Sequence, residues 1–287
     1  ELAAFPRREL PPHGWLFARP RAGAVISQTL GSNLLALRHP GVICYLHSLR
    51  SPYLHSSRPD YIARRLVEYA ALHRAAAVLT NSAYAATRAA SVYGRVPEVL
   101  PPGADDTLLA LPETEGTYAL CVSRLAPEKG VERLLRWCRE LPLDLALVGD
   151  GPAPYVAHLR SLAGPRTRFA GPLTGSALAE AYARCRFLAF LPHEEEFGMA
   201  ALEAMAAGKP VIASSGGGPA ALVEDGRTGF VVSAREAFAA RALTLAADDK
   251  LCRSLGRAAR VAAQAYTWER FASRIEALCL AQVRSAS

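Results

Sequence analysis

The segment 187–223 constrains the fold of this chain more than any other part of the sequence. Residues 187–191 and 211–213 are continuous apolar runs, which are typical of parallel strands buried on both faces of a sheet. Between them, residues 197–207 are apolar except for Glu203, so we expect a buried helix. Because a buried carboxylate is costly without a hydrogen-bond donor, Glu203 needs a polar partner.

The same alternation of strand and helix patterns fills the C-terminal half of the chain. It predicts further strands at 118–123, 145–148, 167–171 and 229–232, and helices at 131–141, 176–185, 234–265 and 268–283. Such an alternation is typical of a doubly wound parallel sheet with helices on both faces. We therefore predict an α/β domain over 107–267.

The N-terminal part shows a shorter version of this pattern. It predicts strands at 24–27, 41–47, 77–79 and 96–100, and helices at 34–38 and 60–74. The apolar positions of the longer helix are Tyr61, Leu66, Tyr69 and Leu72. Asn81 and Ser82 can cap a helix after the third strand. The proline-rich and polar stretch near 106–116 indicates a boundary, so we predict a first domain over 1–106.

Composition narrows the possible functions. The 287 residues, 51% of them hydrophobic, suffice for two domains with separate cores. No apolar run approaches the roughly 20 residues of a membrane-spanning helix and no signal peptide is evident, so we expect a cytoplasmic protein. The six cysteines lack paired spacing, which favours neither a zinc site nor disulfides. The net charge is +7, but the arginines are spread along the chain, which disfavours nucleic acid as a partner.

Glu195 and Glu203 are separated by seven residues, and Phe197 and Gly198 stand between them. This pattern resembles the paired-glutamate signature of retaining nucleotide-sugar glycosyltransferases of the GT-B fold, and it is most similar to glycosyltransferase family 4. The resemblance implies two Rossmann-like domains that face a central cleft, with 268–287 returning to the N-terminal domain. It also implies that Glu195 binds the donor sugar and Glu203 the ribose. Carboxylates suit both tasks because they accept paired hydroxyl hydrogen bonds. The alternative is that Glu203 pairs with a core arginine and that Glu195 is a solvated loop charge.

Transfer from a nucleotide sugar releases a diphosphate, whose charge must be neutralised. The string 123–130 resembles the phosphate-binding loop of the family, which implies that Arg124 and Lys129 hold the diphosphate. A helix N-terminus also attracts anions. The nucleotide-binding residues expected at the start of the predicted buried helix over 197–207 are Phe197, Gly198, Met199 and Ala200. Because no Asp-x-Asp motif follows a strand, we expect no metal and no tightly bound cofactor.

Two strand-to-helix turns are expected at the nucleotide base. Gly149 and Gly151 lie in the first turn, and Gly171 and Leu173 lie in the second. The resemblance implies that the backbone of these turns lines and reads the base, with uracil the commonest base in the family. The alternative is that the glycines serve backbone geometry alone.

His47 ends a predicted strand of the first domain and resembles the family's histidine near the donor sugar. A purely structural role for His47 is equally open. His193, beside the carboxylates, is a weaker candidate. The resemblance further implies retention of configuration through front-face attack, in which the leaving phosphate takes the proton of the acceptor.

Two features depart from the family pattern. The family's opening strand and Gly-rich loop have no counterpart here, so the N-terminal domain is expected to be reduced or incomplete, which affects acceptor recognition. Ala221 stands where the family commonly has a glutamate after a double glycine.

The expected donor is a nucleotide diphosphate sugar, and a UDP-sugar is the first candidate. The expected acceptor is a hydroxyl of a glycan, a natural product or a lipid-linked sugar. A lipid-linked acceptor would imply peripheral contact with the inner face of an anionic membrane. The basic residues available for such contact are Arg58, Arg64, Arg65 and Arg74. Three alternatives stay open: a nucleotide-sugar epimerase, a sugar phosphorylase, or a nucleotide-binding module without turnover. An oxidoreductase is disfavoured because no Gly-x-Gly-x-x-Gly string occurs.

Overall fold

The structure is a computed structural model that describes residues 24–28, 33–39, 41–47, 49 and 59–286. Contacts between residues divide the chain into two units. The first unit ends at Pro101 and takes up the chain again from Phe271, and the second is Pro102–Arg270. Residues 1–23 of the predicted first domain and the predicted membrane-contact residue Arg58 fall outside the described residues, as do the side chains of Tyr61 and Arg64.

A parallel sheet forms the centre of the first unit. Its described strands are β1 (Val25–Ser27), β2 (Val42–Leu46), β3 (Ala77–Thr80) and β4 (Glu98–Val99), paired in that order. The described helices before the boundary are a 3-10 turn at Leu34–Leu37, α1 (Pro59–Arg74) and α2 (Ala83–Tyr93). Ser82 caps α2 as predicted, because its hydroxyl accepts a hydrogen bond from the amide of Ala85 at 3.0 Å.

The last helix, α11 (Trp268–Ala286), places an apolar stripe on this sheet. Phe271, Ile275 and Leu278 recur at intervals of three or four residues and therefore share one face. The ring of Phe271 meets that of Tyr45 edge-on, with the centroids 5.4 Å apart. The buried sheet residues in the same cluster are Ile43, Tyr45, Leu79 and Leu100.

The second unit contains a six-stranded parallel sheet. Its strands are β5 (Tyr118–Val122), β6 (Leu145–Val148), β7 (Thr167–Gly171), β8 (Cys185–Phe190), β9 (Val211–Ser214) and β10 (Gly229–Val232). The order in the sheet is β10–β9–β8–β5–β6–β7, so the winding changes direction between β5 and β8. Ligands of doubly wound sheets bind at the carboxyl ends of the strands beside such a point.

Helices cover both faces of this sheet, and apolar clusters fill the space beneath them. The helices of the second unit are α3 (Asp106–Leu109), α4 (Val131–Cys138), α5 (Ala153–Leu162), α6 (Gly175–Arg184), α7 (Met199–Ala206), α8 (Gly218–Leu222), α9 (Arg235–Ala247) and α10 (Asp249–Ala263). Helix α7 is buried on nearly all sides, as its composition predicts. It begins at Met199, two residues later than predicted.

The prediction for the buried face of α1 is wrong in part. Leu72 is buried, but Leu66 is 63% exposed and Tyr69 is 44% exposed. The face of α1 that packs inward includes Glu68, which is buried and accepts a hydrogen bond from the hydroxyl of Tyr93 at 3.1 Å. A buried acid with a tyrosine partner breaks the apolar pattern on which the prediction rested.

The six cysteines are free thiols, and four of them are buried. Within the residues that the structure describes, no helix is both long and apolar enough to cross a lipid bilayer.

Candidate active site

The predicted site residues of the second unit follow the carboxyl ends of its strands. Arg124 and Lys129 come after β5, Glu195 comes after β8, and Gly149 comes after β6. Because the strands are parallel, these ends lie at one edge of the sheet.

Lys129 and Glu195 meet at this edge, although they lie 66 positions apart in the sequence. The ammonium of Lys129 donates a hydrogen bond to Oε2 of Glu195 at 2.5 Å. The two side chains are only 19% and 16% exposed, so this ion pair is better shielded from water than an ordinary surface pair. The structure thus joins the predicted phosphate-binding cation to the predicted sugar-binding carboxylate.

A tight turn places Lys129 against the end of β8. Lys129 ends a 3-10 turn, and Gly130 follows with a φ of 67°. A Cβ atom on Gly130 would lie 1.9 Å from the carbonyl oxygen of Leu191, so only glycine allows this approach. The amide of His193 donates to the carbonyl of Glu128 at 3.1 Å, which fastens the same turn to the loop after β8.

The loop that carries Glu195 is held by backbone hydrogen bonds. The amide of Gly218 donates to the carbonyl of Glu195 at 2.7 Å, and the hydroxyl of Ser214 donates to the carbonyl of Pro192 at 2.8 Å. The guanidinium of Arg133 donates to the carbonyls of Leu191 and Pro192. Arg133 was not among the residues predicted from sequence, because nothing near it in the chain indicates that its first acceptor lies 58 positions away.

The start of α7 lies directly after this loop. Phe197 is buried and Gly198 is the N-cap, with a φ of 97° that favours glycine. The amides of Met199 and Ala200 lie in the first turn, where a helix provides no intrahelical acceptor for its N–H groups. Met199 is 39% exposed, so this helix end reaches the surface of the second unit.

Glu203 finds its polar partner in Tyr182. The hydroxyl of Tyr182 donates to Oε2 of Glu203 at 2.6 Å, and the tyrosine itself is fully buried in α6. Burial raises the pKa of the Glu203 carboxyl, the hydrogen bond from Tyr182 lowers it, and the charge of Asp105 raises it. The alternative that a core arginine pairs with Glu203 is therefore wrong. Tyr182 was not among the residues predicted from sequence, because it lies 21 positions away on another helix.

Arg124 does not join the pair of Lys129 and Glu195. Its side chain is 67% exposed, and its guanidinium forms an ion pair with Glu128 at 2.6 Å within the same loop. A long exposed side chain of this kind changes rotamer on a fast timescale. Its predicted role at the diphosphate stays a prediction.

The two turns predicted at the nucleotide base are joined in the structure. The amide of Gly149 donates to the carbonyl of Gly171 at 2.9 Å, across the ends of β6 and β7. The carboxylate of Asp150 accepts the amide of Gly151 at 2.7 Å, which fixes the first turn. Leu173 is half-buried and packs on the core of the second unit.

The two histidines considered from sequence are both exposed. His47 belongs to the first unit, where its ring centroid lies 4.5 Å from that of Tyr45 and its carbonyl accepts a hydrogen bond from the amide of Asn81. Desolvation beside this ring lowers the pKa of the His47 imidazole even though part of the residue faces water. Ala221, at the position that departs from the family pattern, lies exposed on α8.

Among the described residues, no group of three or more histidine, cysteine, aspartate or glutamate side chains is placed to hold a metal ion.

The doubly wound parallel sheet defines an α/β protein of the class whose ligands bind at the carboxyl ends of the strands, where Lys129 and Glu195 meet. Comparison with known sequences gives the family. A family model described as glycosyl transferases group 1 matches residues 110–262, more than half of the chain, and the chain belongs to this family.

Curated relatives agree with this assignment. A GDP-mannose-dependent alpha-mannosyltransferase of Mycolicibacterium smegmatis is 40% identical over 149 residues, which are 51% of this chain and 38% of that protein. A D-inositol 3-phosphate glycosyltransferase of Gordonia bronchialis is 30% identical over 228 residues, 67% of this chain and 49% of that protein. This chain therefore spans less than half the length of either relative.

Solved structures confirm the predicted GT-B fold. Sucrose-phosphate synthase from Thermosynechococcus elongatus has a TM-score of 0.77 and 26% identity, covering 92% of this chain and 74% of that one. HepE of Anabaena, solved with UDP, has a TM-score of 0.76 and 24% identity, covering 88% and 78%.

Proposed function

We propose that this chain carries the catalytic machinery of a retaining, metal-independent glycosyltransferase that moves a sugar from a nucleotide diphosphate sugar to a hydroxyl acceptor. The observation that carries the proposal is the meeting of Lys129 with Glu195 beside the open start of α7, which also bears Glu203. A cation, two acids and a helix N-terminus at one sheet edge match the phosphate, the sugar and the ribose of such a donor.

The diphosphate would lie between Lys129 and the first turn of α7. The amides of Met199 and Ala200 present the positive end of the helix dipole, and Lys129 adds a full charge. Arg124 would leave Glu128 and add a second cation when the phosphate arrives. Charge that develops on the leaving diphosphate is then neutralised by groups of the protein itself, which is what we mean by metal-independent transfer.

Glu203 would accept hydrogen bonds from the ribose, and the turns at Gly149, Gly151, Gly171 and Leu173 would line the base. UDP is the nucleotide that we propose first, because HepE, a solved structure with this fold, holds UDP. The GDP-mannose-dependent relatives make GDP the alternative that a direct titration decides.

Glu195 would accept hydroxyl hydrogen bonds from the transferred sugar once Lys129 turns to the phosphate. With both acids engaged by substrate, the retaining route that we propose is front-face attack, in which the acceptor hydroxyl gives its proton to the leaving phosphate.

His47 of the first unit would serve the donor sugar. For the acceptor we propose a hydroxyl of a glycan or natural product; a lipid-linked acceptor at an anionic membrane would involve Arg65 and Arg74 of α1.

The test combines binding and turnover. Titration with UDP-, GDP- and ADP-sugars identifies the donor, and release of the nucleotide only when an acceptor is present separates transfer from epimerisation or binding alone. We expect Glu203→Ala to weaken nucleotide affinity about tenfold or more and Glu195→Ala chiefly to reduce transfer. Glu180→Ala, at an exposed ion pair with Arg184, is the matched control and should change neither. If Glu203→Ala and Glu195→Ala both behave like this control, the proposed function is wrong.

A further inference from the structure

Among the residues that the structure describes, Tyr182 is the one whose buried hydroxyl contacts an acid that we propose to bind the ligand. It lies in the last turns of α6, packed in the core of the second unit. Its hydroxyl is 2.6 Å from Oε2 of Glu203 and 3.4 Å from the carbonyl oxygen of Ala200. A phenol has a single proton to donate, and the shorter contact, to a carboxylate, is the stronger hydrogen bond.

The carboxylate of Glu203 is held on one side only. Oε2 accepts the proton of Tyr182, whereas Oε1 accepts no hydrogen bond from the described residues and is not a fully buried atom. One oxygen is therefore anchored to the core, and the other is left for a hydroxyl from outside. An acid fixed at one oxygen cannot rotate freely about its terminal bond, which pre-orients its second oxygen.

The charges around Glu203 give the tyrosine a second effect. Burial raises the pKa of the Glu203 carboxyl, and the nearby charge of Asp105, at the start of α3, raises it as well. The hydrogen bond from Tyr182 opposes both effects and lowers that pKa. Without the hydroxyl, Glu203 would be harder to keep ionised as well as free to turn.

We propose that Tyr182 is a positioning residue that orients the carboxylate of Glu203 for the ribose hydroxyls of the nucleotide, and so determines the preference for ribose over deoxyribose. The inference rests on the proposed function, in which Glu203 binds the ribose. Tyr182 itself, being fully buried, acts through Glu203 and does not touch the ligand.

The experiment measures discrimination between sugars of the nucleotide rather than overall affinity. Calorimetric titration gives the Kd of UDP and of 2′-deoxy-UDP, and of GDP and 2′-deoxy-GDP if GDP binds more tightly. In the wild type we expect the deoxy nucleotide to bind about tenfold more weakly, because a hydrogen bond to a charged acceptor is lost. Tyr182→Phe should reduce this ratio to about twofold at most.

Tyr118→Phe is the matched control. Tyr118 is a partly buried tyrosine that packs against the same apolar cluster, but its hydroxyl donates to the carbonyl of Ala181 at 2.9 Å rather than to an acid. Its removal should leave the ratio of the two Kd values unchanged. A loss of packing or stability alone would lower both affinities together and would not change that ratio.

Glu203→Gln separates the inference from the proposed function. If Glu203→Gln leaves the ratio as in the wild type, Glu203 does not bind the ribose and the proposed function fails. If Glu203→Gln lowers the ratio but Tyr182→Phe does not, only the positioning role of Tyr182 is overturned. Should Tyr182→Phe not fold in buffer, the titration is repeated in trimethylamine N-oxide, which stabilises folded chains. Failure to fold even there overturns the inference, since a hydroxyl that only orients Glu203 leaves the packing of its ring intact.

Discussion

Lys129 and Glu195 neutralise each other in the structure, so a diphosphate that binds at Lys129 must compete with the carboxylate. Glu195→Gln removes this negative charge, nearly preserves the shape of the side chain and frees the ammonium. We expect UDP to bind about threefold more tightly to this variant in a calorimetric titration, because a shielded ion pair no longer has to be broken. Sugar transfer should fall about tenfold or more, since Glu195 is also the proposed partner of the transferred sugar.

Glu180→Gln serves as the control for this prediction. Glu180 forms an ion pair with Arg184 at 2.8 Å, but both side chains are largely exposed. Its neutralisation should leave UDP affinity within error of the wild type. Weaker UDP binding by Glu195→Gln would show that Glu195 supports phosphate binding instead of competing with it.

Lys209 gives a second prediction at this scale. It is buried, and its ammonium donates to the carbonyl and the hydroxyl of Thr114 at 2.8 and 3.2 Å. Burial lowers the pKa of Lys209 below its usual 10.5. Between the lowered folded value and the unfolded value, the unfolded chain binds more protons. The free energy of unfolding contributed by Lys209 therefore rises with pH in that window.

Lys209→Met should lose this contribution. We expect the stability of the wild type, measured by urea unfolding between pH 7 and pH 10, to rise relative to that of the variant as the pH increases. Lys250→Met, at an exposed lysine, should follow the wild type in parallel. Equal pH slopes for wild type and Lys209→Met would mean that Lys209 has an ordinary pKa in the folded chain.

At the scale of elements, the turn before α4 decides where Lys129 lies. Gly130→Ala would place an alanine at a positive φ, with its Cβ atom 1.9 Å from the carbonyl oxygen of Leu191. Gly226→Ala is its matched control, because Gly226 has a φ of 75° but open space around it. We expect Gly226→Ala to cost about 1 kcal/mol in urea unfolding and Gly130→Ala at least about 2 kcal/mol more, with weaker UDP binding. Equal costs for the two variants would show that the turn relaxes away from β8 without consequence.

Local patterns predicted the elements of the second unit well and its contacts poorly. The apolar runs of β8 and β9 identify strands because such runs persist only where both faces are buried. The partners of Glu203 and of the loop that carries Glu195 lie on distant segments, and no local pattern reports them. Tyr182 is an unremarked residue of α6 in the sequence, and Arg133 looks like one more charge on α4. Both acquire their contacts only when the sheet brings the strand ends together.

At the scale of the whole chain, the sequence predicts the packing of α11 less fully than it predicts the strands of the two sheets. Its spacing of Phe271, Ile275 and Leu278 predicts a helix with one apolar face, but not the surface on which that face packs. Packing on β2 and β3 of the first unit could be expected from the family resemblance alone, since these partners lie far apart in the chain. The predicted membrane contact of Arg58 stays a prediction.

The contacts of α11 give the last prediction. Phe271 lies edge-on to Tyr45, and Arg274 binds Glu98 through two hydrogen bonds of 2.6 and 2.7 Å. Phe271→Ala should destabilise the first unit by about 2 kcal/mol, because the ring is partly buried and its loss leaves a gap against β2. Val283→Ala is the control on the same helix, since Val283 is 47% exposed. If each unit has its own core, urea unfolding should show two transitions, and Phe271→Ala should shift only the transition of the first unit. UDP affinity should then stay within about twofold of the wild type. If urea unfolding shows only one transition, and Phe271→Ala shifts it and abolishes UDP binding, the two units unfold together. The nucleotide site could then no longer be ascribed to the second unit alone.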